Sequence, residues 1–106
     1  MTVMGPDRPS VTARTDSRAG GVWTRVAWDN GDAHDLYVQV GKAGTELRAV
    51  LDLASRWGSL ALQHGCDLWE LMLTAEGSTD DRSSGDSVPN AISAGLLAAI
   101  TNHDKP

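Results

Sequence analysis

The stretch TELRAVLDLASRWGSLALQHG, residues 45–65, constrains this chain more than any other. Leu47, Val50, Leu51, Ala54, Trp57 or Gly58, and Ala61 recur at three- and four-residue steps, the spacing that lines side chains along one face of an α-helix. Leu53, Trp57, Leu60 and His64 make a second stripe beside the first. The apolar face is therefore wide, and more than one element must cover it. Thr45 is the expected N-cap, Glu46 suits the positive end of the macrodipole, and Gly65 stands where a left-handed residue stops a helix. No catalytic residue set projects from this helix.

What the helix covers is read from the preceding residues. From Gly21 the pattern changes to alternation, with Val22, Thr24, Val26 and Trp28 on one face and Trp23, Arg25 and Ala27 on the other, which predicts a strand. The turn Asp29-Asn30-Gly31-Asp32-Ala33 tolerates positive φ, and Leu36, Val38 and Val40 then alternate with Tyr37 and Gln39. A hairpin is expected, paired Val26 with Leu36, Thr24 with Val38 and Val22 with Val40, because a slip of one residue would set Val26 against Asp35. That register brings Trp23 near Gln39 and Arg25 near Tyr37 on the opposite face, a grouping that suits a partner hot spot or, more simply, a half-exposed sheet surface. Two strands alone are marginal, so the expectation is that a second copy pairs with the hairpin to give a four-stranded sheet across a two-fold axis.

The flanks read differently. Residues 1–20 carry two Pro and three Arg and almost no periodic apolar residue, so a disordered arm is expected there. After Gly65 the chain restarts at Cys66-Asp67-Leu68-Trp69-Glu70. Asp67 as N-cap and Glu70 three residues on predict a short helix with Leu68, Leu71, Met72 and Ala75 inward and Trp69 and Leu73 on its other flank. Residues 76–86 contain no apolar member beyond glycine and predict a mobile acidic loop. Ser87 then caps a last helix with Ile92, Leu96, Ala99 and Ile100 on one face, and residues 102–106 form a polar tail. The class is α+β: an antiparallel β-hairpin, one long helix and two shorter ones.

Few residues suggest chemistry. Gly41-Lys42-Ala43-Gly44-Thr45, between strand and helix, offers glycines, a lysine and a helix N-terminus, from which an anion-binding alternative follows at Lys42, Gly44 and Thr45. It is not a Walker A loop, which places its lysine after the second glycine. Cys66 near a helix start has two readings, an activated thiol or a small buried hydrophobe. His64, Cys66 and Asp67 are adjacent at a helix break and do not converge as metal ligands, and His34 and His103 have no evident third partner. No cofactor is expected.

Size and charge narrow the class. With 106 residues the chain is one domain, and its single cysteine precludes an intrachain disulfide. The net charge of −5, with Arg and Lys scattered, argues against a nucleic-acid footprint. Residues 1–20 lack the apolar core of a signal peptide and no run approaches a membrane span, so the cytoplasm is expected, that of the host if the protein is phage-encoded.

The order of these features resembles the TSCPD domain, found at the carboxyl end of adenosylcobalamin-dependent ribonucleotide reductases and as short free-standing proteins, many in phages and bacteria. The resemblance runs over roughly residues 21–101 and is carried by VQVGKAG, the long helix, the restart CDLWELM and SVPNAISAGLLAAI. The Thr-Ser-Cys-Pro-Asp that names the family falls on Asp86, Ser87, Val88, Pro89 and Asn90. Ser87 and Pro89 match, but the thiol position is Val88, so any redox or metal role of that cysteine is not carried over. Nothing here resembles the reductase barrel, its radical-site cysteines or its cobalamin site. The resemblance implies a scaffold and a link to nucleotide metabolism, not reductase activity. The leading expectation is a non-catalytic protein-interaction or regulatory domain, a homodimer that meets its partner through Trp23, Arg25, Tyr37 or Trp69.

Overall fold

The computed structural model describes residues 9–41, 44–77 and 87–103. Three antiparallel strands form one sheet in the order β1 (Ser10–Ser17), β2 (Gly20–Asp29), β3 (Asp32–Val40). Three helices follow: α1 (Thr45–Gln63), α2 (Leu68–Gly77) and α3 (Val88–His103). The α+β class expected from the pattern is the observed one.

The hairpin has the register its apolar faces require, with Val26 opposite Leu36, Thr24 opposite Val38 and Val22 opposite Val40. Asn30 and Gly31 both take positive φ, 53° and 86°, the turn geometry whose twist matches that of the strands it joins. A bulge at Ala27 and Trp28 then buries both side chains.

The arm expected over residues 1–20 is corrected from residue 10 onward. Ser10–Ser17 is a strand that pairs along the whole of β2, Ser10 opposite Ala27 through Ser17 opposite Gly20. Its inward residues are Val11, Ala13, Thr15 and Ser17, small side chains that suit the close passage of α3. Thr15 Oγ1 donates to the Ala91 carbonyl of α3 at 2.8 Å. Residues 1–8 lie outside the described residues, as do 78–86 of the expected acidic loop and 104–106 of the tail. Glu76 belongs to α2, and α3 continues through residues 102 and 103.

One face of the sheet carries all three helices. α1 lies on β3, α3 on β1 and β2, and α2 on α3. The core between them is Val22, Val26, Trp28, Val38, Val40, Leu51, Leu62, Leu68, Met72, Leu96 and Ala99. α1 does not dock on the stripe the sequence emphasises. Its buried residues are Leu51, Ser55, Gly58 and Leu62, while Val50 and Trp57 stay 52% and 66% exposed. Gly58 lies over Leu36, whose Cδ2 would stand 2.6 Å from a Cβ there in its present rotamer.

Ser55 and Ser59 fasten α1 to the outer edge of β3. The Val38 N–H donates to Ser55 Oγ at 2.9 Å, and the Leu36 N–H donates to Ser59 Oγ at 2.9 Å. Ser59 Oγ donates in turn to the Leu36 carbonyl, 3.1 Å away. These groups point away from β2, so the helix satisfies an edge that another strand would otherwise use. The other edge of the hairpin is taken by β1. Within one chain β2 is thus flanked on both sides, and Ser55 and Ser59 meet two of the outward N–H groups of β3.

The helix ends follow local rules. N-cap Gly44 precedes α1 with no side-chain cap bond, so the capping expected of Thr45 is corrected: Thr45 is already the first helical residue. Gly65, at φ 95°, ends α1 with the Gly65 N–H bonded to Leu62 O and the Cys66 N–H to Ala61 O, a Schellman arrangement. Asp67 Oδ1 accepts from the Trp69 N–H at 3.2 Å, and Ser87 Oγ from the Asn90 N–H at 3.3 Å, as their cap positions predict.

Candidate functional site

The face of the sheet that no described helix covers brings together residues that alternation alone sends outward. Along β2 these are Trp23 and Arg25, and cross-strand pairing places Tyr37 beside Arg25 and Gln39 beside Trp23. β1 extends both rows, with Thr12 opposite Arg25 and Arg14 opposite Trp23. The result is a shallow depression of about 430 Å³ lined by Thr12, Trp23, Arg25, Tyr37, Gln39 and Gly41.

The rings are held while remaining accessible. Trp23 is 38% exposed and Tyr37 51%. The Arg14 guanidinium lies 5.5 Å from the centroid of the Trp23 ring, a cation–π contact. Gly41 lets the far edge of the indole lie over the chain, since a Cβ there would stand 3.0 Å from Trp23 Cζ3. Arg14 also reaches Asp16 at 2.9 Å, but both side chains are more than half exposed, where such a pair contributes little and yields readily to a better anion. The array offers two guanidinium groups, two aromatic faces and neutral donors at Thr12 and Gln39.

No protein-family model, curated protein or solved structure matches the chain. The site is therefore read from its own geometry.

Of the residues expected to meet a partner, Trp23, Arg25 and Tyr37 form one surface. Trp69 does not join them. It stands 46% exposed on α2, which packs on α3 on the other side of the sheet. Arg14 joins them from β1: in the sequence it stands with Arg8 and Arg18 in an expected arm, read as contacts for an acidic partner or as a solvated tail, and the strand that sets it beside Trp23 was missed. The signal was the alternation of small inward residues with Thr12, Arg14 and Asp16 outward.

Of the anion-binding alternative, Gly44 and Thr45 open α1, with Glu46 in the same first turn, and Lys42 lies outside the described residues. Among the described residues no three His, Cys, Asp or Glu side chains converge.

Cys66 is half-buried, so it is not the small buried hydrophobe of one reading, and its surroundings oppose the activated thiol of the other. Burial pushes its thiol above the ordinary cysteine range, and the carboxylates of Glu70 and Asp67 push it further the same way. A raised pKa leaves less thiolate at any pH below it. Alkylation of the folded protein by iodoacetamide at pH 8 is expected to run slower than that of the urea-unfolded chain. A faster rate in the folded state would contradict this.

Proposed function

We propose that this chain is a non-catalytic protein-interaction domain whose uncovered sheet face docks an acidic segment of a protein partner. The observation that carries this reading is the cross-strand array of Arg14, Trp23, Arg25 and Tyr37, exposed and pre-positioned on a rigid sheet. Aromatic and arginine side chains dominate binding hot spots, because they supply large contact area and directed hydrogen bonds with little ordering left to do. Arg14 and Arg25 both stand on this face, Arg14 against the exposed Asp16, and an acidic segment is the partner that the two guanidinium groups complement.

On the resemblance to the TSCPD domain alone, the reading extends to a regulatory role linked to nucleotide metabolism, in a phage or bacterial protein that binds a host or phage protein in the cytoplasm. The domain then acts by association and makes no bond of its own.

The test is affinity capture from host lysate with mass spectrometry, beside Trp23→Ala and Arg25→Glu as controls. Both sites are solvent-facing, so the variants are expected to keep the far-UV circular dichroism of the parent. A specific partner should be captured by the parent and lost by both, with Trp23→Ala weakening the purified complex about tenfold or more. Arg25→Glu should also remove most of the salt dependence of binding. Capture that is equal for all three proteins would defeat the reading.

A further inference from the structure

We propose that α1 is the interface between two copies of this chain, packed antiparallel about a two-fold axis. This rests on the helical side of the molecule and is independent of the sheet-face reading.

α1 is apolar around most of its circumference. Its sheet side is buried, Arg48, Asp52 and Arg56 keep to one narrow stripe with Glu46 apart from them in the first turn, and the remainder carries Val50, Leu53, Trp57 and Leu60, each between 43% and 66% exposed. Large apolar side chains exposed side by side in this way mark an interaction surface. Beside it runs a groove of about 740 Å³, floored by Leu36 and Val38, with α1 as one wall and Leu71, Ile92 and Leu96 on the other. The chain's neighbouring segments lack the side chains to fill it. Residues 78–86, which join the helices of the far wall, read STDDRSSGD, and 104–106 read DKP.

The spacing on α1 names the occupant. Leu47, Val50, Ala54, Trp57 and Ala61 follow steps of three, four, three and four, the seam on which one helix packs against another. Pairing two copies antiparallel about the helix centre sets Trp57 against Ala54 of the other copy and Val50 against its Ala61. The four layers between Val50 and Ala61 then each join a large residue to a small one, which is how facing positions interdigitate.

The experiment is sedimentation equilibrium on the full chain at tens of micromolar, with Trp57→Glu for comparison. The parent should show twice the 11.2 kDa chain mass, and Trp57→Glu the chain mass with unchanged circular dichroism, its dissociation constant raised at least about thirtyfold. Register is read by oxidising a mixture of Val50→Cys and Ala61→Cys chains, each also carrying Cys66→Ser. The mixed disulfide should dominate over either self-disulfide. A monomeric parent overturns the proposal, as does a dimer that survives Trp57→Glu. A parent that becomes dimeric only when residues 1–8 are removed overturns it too, and assigns the groove to that segment.

Discussion

Replacing Ser55 and Ser59 together by alanine is expected to lower stability by about 2 kcal/mol and the midpoint of thermal unfolding by roughly 10 °C. The two hydroxyls do what a fourth strand would do for β3, accepting from the outward N–H groups of Val38 and Leu36. Ser55 is 4% exposed, so its loss leaves the Val38 N–H without a partner where water does not reach, at about 2 kcal/mol. Ser59 is only half-buried and water recovers part of its bonds, so its share is nearer about 1 kcal/mol. Alanine returns a few tenths of a kcal/mol per site through its higher helix propensity, which offsets part of the loss without changing its sign. The stripped edge is also a template for intermolecular pairing, so light scattering should rise during unfolding of the double variant and not of the parent. Circular dichroism and scattering recorded on the same thermal ramp decide the matter. A double variant that melts within a degree or two of the parent would mean that the serines do not hold this edge.

Those serines also show why part of the fold was legible in sequence and part was not. The register of the β2–β3 hairpin from Val22 to Val26 could be placed to the residue, because three inward positions on each strand had to share a face and Asn30-Gly31 permits only a tight turn. The existence of α1 was equally plain. Its orientation was not, because a helix apolar on nearly every side does not say which side meets the sheet. Small residues settle that: Gly58 admits Leu36 and Ser55 reaches the strand edge, and neither stands out in a hydrophobic pattern. β1 was missed for a related reason. Its inward side is Val11, Ala13, Thr15 and Ser17, which bury too little apolar surface to announce a strand, yet fit beneath α3 because they are small.

The candidate site divides along the same line. Trp23, Arg25 and Tyr37 follow from the hairpin register, so the sheet face was readable wherever the hairpin was. Arg14 depends on β1 and was not. The separation of Trp69 from the other aromatic residues depends on how α2 sits on α3. No local pattern encodes that, since it follows from the packing of elements far apart in the chain.

Gly95→Ala is expected to destabilise the protein by about 2 kcal/mol, although alanine is the better helix former. Gly95 lies in α3 where the helix crosses β2, and a Cβ there would stand 2.6 Å from Thr24 Oγ1 and 2.8 Å from Thr24 Cβ. The second of these atoms is attached directly to the central strand, held on both sides by β1 and β3, and cannot rotate away. α3 must lift instead, loosening Leu96 and Ala99, which are 1% and 0% exposed. Overpacking of this kind costs about 1–3 kcal/mol, and disturbing that contact adds to it, against a gain of about 1 kcal/mol in helix propensity. Gly58→Ala is the control. There the nearest atom is Leu36 Cδ2, the end of a flexible side chain that turns aside, so the midpoint should move by only a few degrees. A cycle with Thr24→Ala isolates the contact, because that change removes Oγ1, which is buried and without a hydrogen-bond partner among the described residues. In the Thr24→Ala background Gly95→Ala should cost about 1 kcal/mol less than in the parent. Strictly additive effects would place the strain elsewhere, and a Gly95→Ala protein more stable than its parent would show that α3 does not approach β2 this closely.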